Sequence, residues 1–282
     1  MENLVIRILN LLFGVGFPPV AKNGKQIKNQ KNQINIRIKE LPMTLQRGCK
    51  GPDVQSLQIK LAGFRGTIWD GNFGPGTELQ VMQFQKDFMR ILPTGIVDTA
   101  TAAAINDFAK KYTFDFNQLK CPCGQCSGFG QGLYKDQYQE GKPHLEIYCR
   151  YEYPGIHKVV LWTTRAACFY TGNPLMVNSG YRCSIEEAKH ARTSGNHHGK
   201  AIDMDAPLKP GELKKDDMAH CDAIRAKLVE VANCQIGWAG TNKKSLEPSD
   251  IAPTWVHLDV RQFDKVYLDD SFFVRTLADL DA

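Results

Sequence analysis

The chain reads as an α+β protein, a small three-helix unit followed by a larger domain with a central antiparallel sheet. Three observations predict this. Residues 43–110 hold three amphipathic helical stretches separated by Gly- and Pro-rich turns. Beyond residue 111 the runs at 200–205 and 255–260 have the period-two pattern of strands. With 43% hydrophobic residues over 282 positions, the chain can bury one large core or two ordinary ones.

The charge is uneven. Lys and Arg number 35 and Asp and Glu 30, a formal net charge of +5. Residues 1–42 carry seven basic side chains (Arg7, Lys22, Lys25, Lys28, Lys31, Arg37, Lys39) against Glu2 and Glu40, which accounts for the whole excess. A nucleic-acid binder with charge spread over its folded face is therefore disfavoured. Residues 1–42 read as a disordered basic leader and linker. The stretch 4–17 is apolar but broken by Arg7 and Asn10, and Pro18-Pro19-Val20-Ala21 is a poor cleavage site for a secretory signal. Met43, directly before the first motif, is a candidate alternative start. No run of 18 apolar residues exists, so stable membrane insertion is not expected.

In the first unit, Val54, Leu57 and Leu61 form a helical stripe over 53–61, and Asp53 can cap that helix. Over 77–88, Leu79, Met82, Phe84 and Phe88 fall near one face, with Thr77 as the expected N-cap. An Ala-rich helix is expected over 99–108. The unit has no cluster of His, Glu or Cys suited to chemistry, so it is a binding or packing module.

Its residues resemble a known family. The runs LQRGCKGPDVQSLQIKL, WDGNFGPGTELQVMQFQ and TGIVDTATAAAI are similar to the peptidoglycan-binding domain of bacterial and phage wall hydrolases. Gly48, Gly51, Asp53, Val54, Leu57, Gln58, Asp70, Gly71, Phe73, Gly74, Thr77, Phe84, Gln85, Gly95, Val97 and Thr101 carry the likeness. Many of these positions are structural, so they speak more for the fold than for the wall feature bound. Peptidoglycan is the partner the resemblance implies.

The second domain, 111–282, opens with Cys121-Pro-Cys-Gly-Gln-Cys126, part of a set of nine cysteines. Three cysteines in six residues can ligate zinc or form disulfides. A structural zinc site needs four ligands, and no second close pair follows, which favours disulfides or free thiols. The chemistry is expected at 179–183 (SGYRC), 196–205 (NHHGKAIDMD) and 255–260 (WVHLDV). Strand alternation puts His257 with Asp259 on one face, and Ala201, Asp203 and Asp205 on another shared face. Two imidazoles and a carboxylate can converge on one Zn²⁺ and leave a fourth position for water. The helical HExxH motif is absent, so a thermolysin-like enzyme is not supported. His157, His190 and His220 read as surface residues, and Trp238 and Trp255 as core or pocket wall.

These segments resemble the zinc peptidases of the D-alanyl-D-alanine carboxypeptidase group, which includes phage L-alanyl-D-glutamate endopeptidases. The resemblance covers about 114–262 and leaves 206–250 unplaced. It implies His197, Asp203 and His257 as zinc ligands and Arg182 as the group that holds a substrate carboxylate. Two departures stand out. One residue, not two, separates His197 from Gly199, which leaves His198 or Asp205 as alternative ligands. The family's acidic base, three residues before its last histidine, is replaced by Thr254. Glu247, Asp250 and Asp259 are the candidates for that task, with Asp259 alternatively a partner orienting a ligand.

The expectation is a monomeric zinc-dependent murein peptidase of the periplasm or cell wall, an endolysin or wall-remodelling enzyme anchored by its first module. A strict D,D-carboxypeptidase and a non-catalytic wall-binding protein that keeps the fold are the alternatives.

Overall fold

Proline at the first position of a helix costs no hydrogen bond, because that N–H has no intrahelical partner. Both α1 (Pro52–Lys60) and α2 (Pro75–Phe84) begin this way, after Gly51 and Gly74 as N-caps. The computed structural model describes residues 44–66, 68–135, 150–172, 175–192, 195–206, 208, 210–238 and 240–282. The leader and linker expected over 1–42 lie outside the described residues.

Asp53 and Thr77 are not caps. Asp53 sits in the first turn of α1. Thr77 is buried, its hydroxyl accepting from Gln58 Nε2 at 3.0 Å. Asp98 does cap α3 (Thr99–Lys111), accepting from Thr101 N at 2.7 Å. The buried stripe of α2 is Thr77, Gln80, Val81 and Phe84, whereas Leu79 is 43% exposed, contrary to the expected apolar face. Two buried amides explain why their residue types matter. Gln58 accepts from Gly71 N (2.9 Å) and donates to Asp70 Oδ1 (2.9 Å). Gln85 accepts from Thr94 N (2.8 Å) and Gly95 N (3.0 Å). Each buried amide ties a loop to a helix.

The second part is mixed. A five-stranded sheet runs in the order β2 (Met176–Ser179), β3 (Ala201–Asp205), β6 (Val256–Asp259), β5 (Ser245–Leu246), β4 (Gln235–Ile236). All its pairs are antiparallel except β4 with β5. A separate antiparallel pair joins β1 (Ile156–His157) to β7 (Phe273–Val274). The helices are α4 (Lys158–Thr171), α5 (Ser184–Lys189), α6 (Lys214–Ala232) and α7 (Leu277–Asp281). Helix α6 and strands β4 and β5 lie in the stretch 206–250 that the resemblance leaves unplaced.

His157 is a correction. It is fully buried rather than on the surface. Nδ1 accepts from Val159 N (3.2 Å) to cap α4, and Nε2 meets Tyr267 O at 3.0 Å. Burial pushes its pKa down to about 4. His190 and His220 do reach solvent, with side chains 56% and 32% exposed.

The helical module is not a bead on a string. Phe64 touches Phe84 and Phe108 of its own module, and Phe169 and Tyr170 of α4. Trp69 stacks on Phe263 at 4.3 Å and meets Tyr267 edge-on. Lys244, 4% exposed, donates to Ala62 O. Arg165, fully buried, donates to Tyr112 O at 2.9 Å. Aromatic burial of this kind contributes about 1.5–3 kcal/mol per large side chain, and the described chain packs as one unit. No helix of the described residues is long and apolar enough to cross a membrane.

Candidate active site

The register of β3 against β6 builds the centre of the site. Asp203 lies directly opposite His257, so their side chains rise side by side on one face. His257 Nδ1 meets Asp203 Oδ1 at 2.7 Å. Its Nε2 lies 2.9 Å from Asp259 Oδ2, two residues along the same strand. His197 comes from the turn before β3. Gly199 closes that turn at φ +105°, and a Cβ there would stand 2.3 Å from Gly155 O, so no side chain fits. His197 Nδ1 meets Gly180 O at 2.8 Å, which aims Nε2 at Asp203 Oδ2, 3.3 Å away. Gly180 is itself fixed by a close approach: a Cβ would fall 2.4 Å from Leu119 O.

His197, Asp203 and His257 offer ligand atoms within 4.8 Å of one another. His197 Nε2 is buried and has no hydrogen-bond partner. Asp203 Oδ1 and His257 Nδ1 are close enough to need a proton or a cation between them. The three groups therefore fit a divalent cation, which His197, Asp203 and His257 would hold together. Without one, a proton does the bridging. Burial opposes the charge on His257, but hydrogen bonds and the charges of Asp203 and Asp259 outweigh it and push its pKa up to about 9. Burial likewise works against the charge on Asp203, and the two histidines overcome it and hold its carboxyl well below the usual range.

These groups stand in a cleft of about 690 Å³ whose walls include Arg182, Glu186, Arg192, Glu247, Thr254 and Trp255. Arg182 donates from Nε to Glu187 Oε1 (2.6 Å) and from Nη1 to Ser179 Oγ (3.0 Å) and Asp203 Oδ2 (3.4 Å). The guanidinium is held rigidly beside the histidine pair, with Nη2 unengaged among the described residues. Ser179 belongs to the SGYRC segment singled out in the sequence, whereas Glu187 lies in no motif; only its place beside the arginine identifies it.

The candidate bases separate clearly. Glu247 is on the cleft wall, with Oε1 4.0 Å from His257 Nε2 and 3.4 Å from Arg261 Nη2. Asp259 is fully buried behind His257 and paired with Arg261. Asp250 is exposed on a turn and lines no part of the cleft. The alternative ligands also fall elsewhere. His198 Nδ1 meets Arg150 O at 2.8 Å, and Asp205 sits with Asp217 and Cys221. Arg261, absent from every sequence signal, donates to Asp259 and Glu247 and lies beside the His257 ring. Trp255 forms pocket wall, as expected.

Two comparisons relate the chain to known proteins. Residues 50–105 match the family model described as "Putative peptidoglycan binding domain". The chain is similar to the zinc D-Ala-D-Ala carboxypeptidase of Streptomyces albus G, 26% identical over 170 residues, covering 58% of this chain and 61% of that protein. The chain thus spans about three-fifths of the length of the curated relative it matches.

Proposed function

We propose that the protein is a zinc-dependent peptidase of bacterial peptidoglycan, held on the wall by the module within 43–110 and cutting with the domain over 111–282. The observation that carries this reading is the convergence of His197, Asp203 and His257 at the floor of a cleft that Arg182 and Glu247 also line. Two imidazoles and one carboxylate leave a coordination position open, the arrangement of catalytic rather than structural zinc. When bound, the ion supplies Lewis acidity to the scissile carbonyl and makes water a usable nucleophile near neutral pH.

The chain's own residues do the rest. His197 and His257 hold their ring orientations through Gly180 O and Asp259. Asp259 serves His257 and does not reach the cleft. Glu247 takes the proton from the attacking water and returns it to the leaving amine, the task for which Thr254 has no basic group. Arg182, fixed by Glu187 and Ser179, presents its remaining edge to a carboxylate of the D-amino-acid peptide. The wall module raises the local concentration of cleavable bonds. Because it is packed on the catalytic part, it also fixes how the cleft meets the wall. The site of action is the periplasm or cell wall, with peptidoglycan as partner.

Zinc content and murein hydrolysis of the native protein and of His257→Ala, measured side by side, test this reading. New peptide termini, lost in the variant together with the zinc at this site, are expected, and fragment masses name the bond. Full cleavage by the variant would overturn the assignment. Retained wall binding with no cleavage by the native protein would make it a wall-binding protein instead.

A further inference from the structure

The three cysteines of 121–126 acquire a fourth partner that the sequence conceals. Cys183, directly after Arg182, folds back onto them. The Sγ atoms of Cys121, Cys123, Cys126 and Cys183 all lie within 4.8 Å of one another, and all four are free thiols. Three of the residues are buried, at 8%, 7% and 1% exposure, and Cys126 is partly so. Cys183 Sγ lies 3.6 Å from Cys123 Sγ. Four sulfurs at about 2.3 Å from a tetrahedral zinc stand about 3.8 Å apart, so the quartet is already near the spacing an ion would impose.

The backbone around the sulfurs is arranged for thiolates. Cys123 Sγ accepts from Gln125 N and Cys126 N, both at 3.3 Å. Cys126 Sγ accepts from Gly128 N at 3.3 Å, and Cys121 Sγ from Cys183 N at 3.4 Å. The loop is closed by Cys121 N donating to Gly128 O at 2.8 Å. Lys189 Nζ, on Cys123 O at 3.1 Å, adds a nearby positive charge. Four N–H groups aimed at sulfur suit an anionic cluster, since a thiolate accepts more strongly than a thiol.

We infer that Cys121, Cys123, Cys126 and Cys183 bind a second zinc ion, a closed four-sulfur structural site separate from the His197–Asp203–His257 centre. Binding replaces the thiol protons, and the thiolates carry the metal–sulfur bonds, with no redox change. Its place in the fold gives it a purpose. It clamps 119–126 onto 179–183, the segment that carries Arg182 and the Gly180 carbonyl that orients His197. Tyr181 N bonding to Leu119 O at 2.8 Å is the same junction made through backbone. The second ion is thus a positioning element for the cleft wall.

The test is metal analysis of reduced, zinc-supplied protein in the His257→Ala background, together with its cobalt-substituted form. One zinc per chain is expected to persist there, and cobalt is expected to give intense thiolate-to-metal charge-transfer absorption. Cys126→Ser, the least buried ligand, should weaken both while leaving the His–Asp–His centre loaded in the otherwise native chain. The cobalt spectrum needs no cysteine variant, so the test survives if that variant fails to fold. A His257→Ala protein with no zinc and no charge-transfer band overturns the inference. So does a native mass short by two hydrogens for each of two disulfides among these four cysteines. If the His–Asp–His centre proves metal-free, the ion retained in His257→Ala still supports the cysteine site, so the two readings fail independently.

Discussion

Two side-chain clusters in this protein each bring their ligand atoms within 4.8 Å of one another, yet they are built for different work. His197, Asp203 and His257 sit on a turn and two paired strands and line a cleft of about 690 Å³. The four cysteines sit in a loop and its neighbour, with their sulfurs ringed by backbone N–H donors. Three ligands facing an open volume leave room for a substrate; four ligands filling their own shell leave none. The difference teaches that proximity of ligating atoms says where a metal fits. The number of ligands and what borders them says whether it reacts.

The sharpest way to separate the two is to remove chemistry without removing metal. Glu247→Gln keeps the shape of the cleft wall and abolishes the base. A general base typically contributes about 10²–10⁴-fold, and a loss of that size in kcat is expected. Zinc content and wall binding should stay unchanged, as read by metal analysis and by sedimentation with purified murein. If the variant turns over at the native rate, Glu247 is not the base.

Arg182→Lys probes the junction between the clusters and ranks next. Lysine keeps the charge but cannot hold Glu187, Ser179 and Asp203 with one planar group while offering a further edge to substrate. Loss of a charge-assisted hydrogen bond costs about 1.5–3 kcal/mol, roughly 10- to 100-fold. That loss is expected mainly in KM for substrates with a free carboxylate, measured on stem peptides with and without an amidated terminus. Equal effects on both substrates would show that Arg182 only braces the site.

The clusters also differ in how far the sequence discloses them. The three helices of the first module were legible, because their turns carry Gly and Pro at fixed places. The caps and the buried face of α2 were not, because glycines cap the first two helices and buried amides take positions that the apolar pattern gave to Leu79. The strands of the site were legible too, since alternation alone puts His257 and Asp259 on one face. What alternation cannot show is that Asp259 lies behind the ring while Glu247, on another strand end, faces the cleft. The register pairing Asp203 with His257 joins residues 54 apart in sequence, and Cys183 joins Cys121 across 62. Such contacts are decided by tertiary packing, which leaves no periodic trace. The same holds for His157, polar in the sequence yet fully buried because it caps α4 beneath Phe272 and Phe273.

Asp259→Asn tests the smallest of these effects and the finest point of the comparison. The native carboxylate lies 2.9 Å from His257 Nε2, and its charge favours the ring form with a proton on Nε2, which frees Nδ1 for a cation. The amide keeps the shape but can present its NH₂ to the ring, and it no longer neutralises Arg261. Partners of this kind are worth about 10–100-fold in metal affinity. Competition against a graded series of chelators should therefore show zinc leaving the His–Asp–His centre that much more easily, with cleavage restored at saturating zinc. The cysteine site shares no residue or hydrogen bond with Asp259, so its chelator resistance should not move. A parallel weakening of both sites would mean that the substitution loosens the fold as a whole, and the separation between an open and a closed centre would fail at the point where it is most easily measured.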